Sequence, residues 1–287
     1  MRWFVLIFVA LASGSLAQES PTPPIEGDTI VVTGRSGGVT RSYVDRVARP
    51  EPGRQLARWN APLCIKYDGL DEKYAHFIQG RIAETARNIG LKMAGPNCPT
   101  AVIVKLTDQA DALTSALLHS YPLRLGSVTS GTHPSKRLIA ALEAPRTVRW
   151  LAASATVNQD GTPINAVANQ VRIDSLIRSA TREDMDSKII LIDEVRLVGV
   201  SLNQLADYIA FITLASPDAA ADFAGTDSIM ALFAGAGPGP ARMTGQDLAF
   251  LDALYAVPAD RAANVQKGAI RARIAKGKTR ARNKGGE

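Results

Sequence analysis

Histidine is nearly absent from this chain: His76, His119 and His133 are the only three in 287 residues. No two stand one helical turn apart, so no helix offers paired imidazoles to a metal. Cysteine is as scarce. Cys64 and Cys98 are the only two, and without a Cys-x-x-Cys pair neither a zinc ribbon nor a dithiol redox motif is available. Past the N-terminal segment no stretch is long and apolar enough to span a bilayer. Acidic residues are missing from one end. From Lys267 to Glu287 there are eight Lys/Arg and one acid, which leaves 25 basic and 26 acidic residues for the rest of the chain. The net charge of +6 therefore belongs to the tail, and a basic groove built into the body is excluded. Nor does any aromatic residue interleave the tail's cations, so stacking on nucleic-acid bases is not expected there, and no specific nucleic-acid partner is assigned.

What is present begins with an export signal. Arg2 precedes an apolar run from Trp3 to Ala12, and Ser15-Leu16-Ala17 fits the small-x-small cleavage rule. The run is shorter than the roughly 20 residues of a spanning helix. Residues 1–17 are thus expected to be a signal peptide, the mature chain starting at Gln18 with no transmembrane span, in the periplasm or outside the cell. In an oxidising compartment an even cysteine count predicts a Cys64–Cys98 disulfide, with two free buried thiols as the alternative. Residues 18–58, with Pro50, Pro52, Gly53 and Ser36-Gly37-Gly38, are expected to be a mostly flexible segment. Within it, Ile30-Val31-Val32-Thr33-Gly34 looks like a short segment found near the mature N-terminus of TonB-dependent outer-membrane receptors. The chain is far too small for such a receptor, and a short β segment or an exposed tail explains the same residues.

The folded domain is expected over 59–257, as an α/β (α+β) unit with a mixed central sheet flanked by helices. Leu63–Tyr67 reads as a strand ended by Asp68-Gly69, and Asp71 is placed to cap the next helix. There Tyr74, Phe77, Ile78, Ile82, Ala86 and Ile89 recur at helical spacing. Ala101–Leu106 is a compact strand. A helix from Asp108 or Asp111 through Leu118, a Gly/Ser/Thr-rich loop over 122–134 and a short helix over Ser135–Leu142 follow. Val148–Val157 and Val167–Ile177 read as strands, and the apolar run Ile189–Ile192 as a central one. Ser201–Leu214 is an amphipathic helix to be buried against the sheet, with Ser201 and Gln204 spelling a capping box.

That order of parts, with Ser228-Ile229-Met230 and then Thr244-x-x-Asp247 running into Leu254-Tyr255, resembles the metzincin zinc metalloproteases, among bacterial secreted proteins. The resemblance implies a helix carrying His-Glu-x-x-His, a third ligand beyond it and a Met turn beneath the metal. In one register Ala206-Asp207-Tyr208-Ile209-Ala210 lies over the motif, so Asp207 replaces the general-base Glu, both His positions are Ala, and Ser216 stands at the third ligand. Alanine offers a metal nothing, and catalytic zinc needs three protein ligands. The resemblance therefore implies a degenerate, non-catalytic scaffold without metal or cofactor. The alternative is a secreted hydrolase or metallopeptidase drawing on other ligands.

The remaining candidates carry less chemistry. Asp193-Glu194 suits a turn or a helix cap, since neighbours on a strand point to opposite faces. Arg178, Arg182, Glu183 and Asp184 read as a solvated charge cluster. Gly235-x-Gly-Pro-Gly-Pro240 is no phosphate loop, because proline removes amide donors and no Lys-Ser/Thr follows. The tail, 258–287, is expected to be separable from the core. Its cations Lys267, Arg271, Arg273, Lys276, Lys278, Arg280, Arg282 and Lys284 are the candidates for meeting an anionic envelope surface such as lipid head groups.

Overall fold

Strands β1 (Ile65–Asp68), β2 (Val102–Thr107), β3 (Gly126–Ser127), β4 (Val148–Asn158) and β5 (Thr181–Asp193) form one mixed sheet in the order β1-β2-β5-β4-β3. This computed structural model describes residues 34–50, 52–121, 126–127, 134–164, 178–235, 237 and 239–284. β1, β2 and β5 run parallel, β4 is antiparallel to β5, and β3 is parallel to β4. The run Ile189–Ile192 lies in the second half of β5, at the middle of the sheet, with Ile190, Leu191 and Ile192 fully buried. A central parallel strand covered on both faces needs that unbroken apolar character.

Helices α1 (Gly34–Val47), α2 (Glu72–Asn88), α3 (Ala110–Ser120), α4 (Lys136–Glu143), α5 (Leu202–Ala215), α6 (Gly245–Ala256) and α7 (Ala263–Lys284), with a 3-10 turn at Ile229–Phe233, flank the sheet. The result is a single α+β domain. Cys64 and Cys98 are joined, their Cα atoms 6.0 Å apart, which pins the turn before β2 to the start of β1. Gly69 ends β1 at φ 75°, and a Cβ there would meet the carbonyl oxygen of Leu106 at 2.2 Å. Only glycine fits that turn. Gly239 packs its backbone on the 3-10 turn, where a Cβ would come within 2.6 Å of Leu232 Cα, so the glycine-proline segment serves close packing.

α5 is the core's axis. Every residue from Leu205 to Ala215 is buried, so the helix is enclosed all round and not on one stripe alone; α2, α6 and the 3-10 turn pack against it. Its Ser201–Gln204 capping box forms as the sequence predicts. At the other end the orphan carbonyls of the last turn find side-chain donors. Lys188 Nζ donates to Ile212 O at 2.6 Å and to Thr213 O at 2.8 Å, Trp59 Nε1 donates to Thr213 O at 2.8 Å, and Tyr255 Oη to Leu214 O at 3.1 Å.

The structure departs from the sequence expectation at both domain edges. Within the segment expected to be flexible to residue 58, α1 buries Tyr43, Val44 and Val47. Packing does not stop at 257 either. α7 lies against α1 and α6 with Ile270 and Ile274 buried, and its Gln266 carboxamide accepts from Leu56 N while donating to Pro258 O and Ala259 O. The described residues thus form one unit from Gly34 onward. Asp71 precedes α2 but its side chain makes no capping hydrogen bond. The strand expected over Val167–Ile177, the signal peptide of 1–17 and residues 18–33 lie outside the described residues. Among the described residues no helix is long and apolar enough to cross a membrane.

Candidate functional site

The first place to look is the middle of α5, where the resemblance would put a metal. Ala206, Asp207 and Ala210 are all buried there. Asp207 is tied down on both oxygens: Arg81 Nη1 of α2 donates to Oδ1 at 2.6 Å, and Met243 N donates to Oδ2 at 2.8 Å. Arg81 reaches on to Asn203 Oδ1 at 3.1 Å. A carboxylate spanned by a guanidinium and an amide is a clamp between helices, each oxygen already holding a donor. Ser216 is the C-cap of α5 and adopts a left-handed φ of 48°. The Thr244-x-x-Asp247 pattern makes a second capping box, and Met230 sits buried in the 3-10 turn beside it.

Asp247 does far more than cap. Tyr43 Oη donates to its Oδ1 at 2.7 Å and Ser228 Oγ at 2.6 Å; Ile229 N and Thr244 N donate to Oδ2 at 2.7 and 3.0 Å. One carboxylate thereby joins α1, the 3-10 turn and α6. Burial, and after it the Asp247 charge, push the Tyr43 hydroxyl well above its ordinary range, so it stays a donor at any physiological pH.

The histidines are elsewhere. His76 is exposed on α2, 3.9 Å from Glu72, and His119 is exposed near the end of α3. His133 lies outside the described residues. Among the described residues no three His, Cys, Asp or Glu side chains are grouped to hold a metal ion. Asp193 has the expected turn role, accepting from Val195 N and Arg196 N and pairing with the Arg196 side chain.

A second place is a cavity of about 470 Å³ between residues 47–50 and 52–57, the inner side of β4 and β5, and the turn that follows α5. Its floor is apolar, from Leu138, Leu142, Trp150, Met185, Phe250 and Leu254. The β4–β5 register slips between Ala153 and Ser154, both in its wall; such irregularities re-aim side chains beside functional sites. Glu183 lies in that wall at 1% exposure, accepting from Ser154 Oγ at 3.1 Å, from Thr156 Oγ1, and from Arg54 Nη1 at 3.2 Å. The solvated cluster expected at 178–184 is therefore corrected. Strand alternation turns Glu183 inward, while Arg182 and Asp184 pair with each other in a half-exposed position. That period of two was the available signal.

Lys188, deeper along β5, is another buried ion that sequence reasoning missed. Burial pushes its ammonium down to about 7, against the pull of the α5 carbonyls and of the Trp59 ring 5.8 Å away. Also passed over is Gly34-Arg35-Ser36-Gly37-Gly38, which has the Gly-x-Ser-x-Gly spelling of a nucleophile elbow. It opens α1, and the Ser36 side chain lies outside the described ones, so no role is assigned to it.

The tail's cations divide into two sets. Lys267 and Arg271 both pair with Asp45 of α1 at 2.6 Å, and Arg273 pairs with Asp252 of α6 at 2.9 Å. Burial alone would raise the Asp45 carboxyl, but the hydrogen bonds and charges of Lys267 and Arg271 outweigh it and hold the group below the usual carboxylate range. Lys276 is exposed, and Lys278, Arg280, Arg282 and Lys284 fall in the last turns of α7. No family model matches this chain, no curated protein is significantly similar to it, and no solved structure matches it.

Proposed function

We propose that the chain is an exported, non-catalytic protein of the cell envelope: a metzincin-like scaffold without zinc ligands, attached to anionic surfaces such as lipid head groups through the far end of its basic helix. The observation that carries the attachment is the charge split along α7. Its first half spends its cations on Asp45 and Asp252, so those residues dock the helix to the body. Its end, from Lys276 to Lys284, holds five cations and no acid. Each Lys or Arg near an anionic leaflet contributes about 1 kcal/mol, and the attraction decays over a Debye length. The scaffold part rests on the order of elements around α5 and on Asp207, which spends both oxygens on holding α5 to its neighbours.

Sedimentation with vesicles containing anionic lipid tests the attachment. The full chain should bind at low salt and detach towards roughly 0.5 M salt, where the screening length falls to about half its physiological value. A chain ending at Ala275 should keep its melting temperature and lose binding. Full-length protein that ignores anionic vesicles at low salt would refute the reading.

A further inference from the structure

The cavity beside Glu183 has the makings of a ligand site, and we infer that it takes a small amphipathic carboxylate: an apolar body on the floor and one anionic head at Arg54 and Arg49. The inference goes beyond surface attachment and uses none of the tail's cations.

Three observations converge. The volume, about 470 Å³, falls inside the roughly 300–1,000 Å³ range of small-molecule sites, and the lining is predominantly apolar with a few polar groups, as such sites are. Next, Arg54 is largely buried, with its side chain 14% exposed, yet among the described residues it makes one hydrogen bond, the contact of 3.2 Å to Glu183. A guanidinium carries five N–H donors in a rigid fork suited to a carboxylate. None of the other Arg54 nitrogens is sealed from solvent, so the unused part of the fork is open to an acceptor entering the cavity that Arg54 lines. Finally, Arg49 stands exposed at the rim and makes no ion pair among the described residues. Of the other lining charges, Arg137 is matched by Asp218 at 2.8 Å, so among the described residues the uncompensated charge of the lining is positive. An apolar cation would face Arg49 and find Glu183 already engaged by Arg54, Ser154 and Thr156. The electrostatics select an anion.

The end of the Arg54 wall, at Gln55 and Leu56, is itself held in place. Gln55 Nε2 donates to Thr181 O at 2.8 Å, and Leu56 N donates to Gln266 of α7 at the same distance. Arg54 therefore sits beside two braced residues.

Calorimetric titration with linear aliphatic carboxylates of increasing length reads the proposal, with the matching primary alcohols as neutral controls. The dissociation constant of the carboxylates should fall about fourfold per added methylene while the tail still fits, the ratio set by burying one CH₂. The alcohols should bind at least tenfold more weakly than the acids. Arg49→Glu, a change at an exposed position, should weaken carboxylate binding at least tenfold and leave the alcohols unaffected. Replacing the buried pair together, Arg54→Met with Glu183→Gln, should abolish the preference for acid over alcohol without leaving a buried charge alone. No binding by any acid, equal binding of acids and alcohols, or an affinity indifferent to chain length and to Arg49→Glu would each overturn the inference.

Discussion

Asp247 and Glu183 are both cut off from solvent, at 0% and 1% exposure, but they are surrounded differently. Asp247 receives hydrogen bonds from Tyr43, Ser228, Ile229 and Thr244, which come from three separate elements. Its donors are backbone amides and short or rigid side chains, and it borders no described cavity. Glu183 receives two hydroxyls from the neighbouring strand and one long guanidinium, and one side of it faces an open volume. The comparison separates a carboxylate that assembles the fold from one that the fold holds at the edge of a cavity. Burial does not distinguish them; the origin of the donors and the presence of space do.

The largest perturbation removes a support common to both. α7 braces α1, which carries Tyr43 to Asp247, and through Gln266 it braces the segment that carries Arg54 to Glu183. Deleting 263–287 removes the buried Ile270 and Ile274, and truncating a buried Ile typically costs about 2–5 kcal/mol. The deletion should lower stability on the order of 5 kcal/mol, and the melting temperature on the order of 10 °C for a domain of this size. Ending the chain at Ala275 should change neither by a measurable amount. If the longer deletion melts like the full chain, α7 supports neither carboxylate.

Next in size is the direct contrast between the two groups. Asp247→Ala leaves several buried donors without an acceptor, each costing about 1–3 kcal/mol before relaxation, so a loss of about 3 kcal/mol is expected in chemical denaturation. Glu183→Gln keeps an acceptor for Ser154 and Thr156 and lets solvent in the cavity meet Arg54, so its cost should be about 1 kcal/mol. Equal losses would erase the distinction between the two sites.

How much of this could be read beforehand follows from which physical signal each element carries. α5 was legible because its capping box and its apolar spacing agree. The disulfide followed from an even cysteine count in a chain expected to be exported. α1 was hidden by the Pro and Gly residues around it, although Val39, Tyr43, Val44 and Val47 already recur at helical spacing. In α7 the Lys and Arg residues masked a narrow stripe, Gln266, Ile270 and Ile274, one turn apart each. Two isoleucines suffice for docking when salt bridges flank them, and a window average cannot see that. The cavity was invisible because it is made by segments remote in sequence, and Glu183 stands beside charges that do face outward. Contacts of that kind exist only after folding.

Lys188 sharpens the comparison from the opposite sign of charge, with an effect that shows only as a pH dependence. It is a fully buried cation whose hydrogen-bond partners are the carbonyls of Ile212 and Thr213, with no carboxylate among them. Burial lowers its pKa from 10.5 to about 7. Below that folded value the lysine is protonated in both states, and the native state bears the whole cost of burying the charge. Between about 7 and 10.5 the unfolded chain holds the proton while the native lysine releases it. Stability must then rise with pH, since it rises wherever the unfolded state binds more protons. The slope averaged from pH 7 to pH 9 should be about 1 kcal/mol per pH unit, below the limit of 1.4 for a single proton, because near pH 7 the native lysine is only partly deprotonated. Denaturant titrations at pH 7 and pH 9 measure it. Lys188→Met retains the apolar stem and removes the titration, so the variant should lose this slope while folding at pH 7 at least as well as a chain that buries a charge there. Identical slopes in the parent and Lys188→Met would mean that the ammonium stays protonated in the core across the range. The carbonyls at the end of α5 would then be holding a cation as firmly as the amides around Asp247 hold an anion.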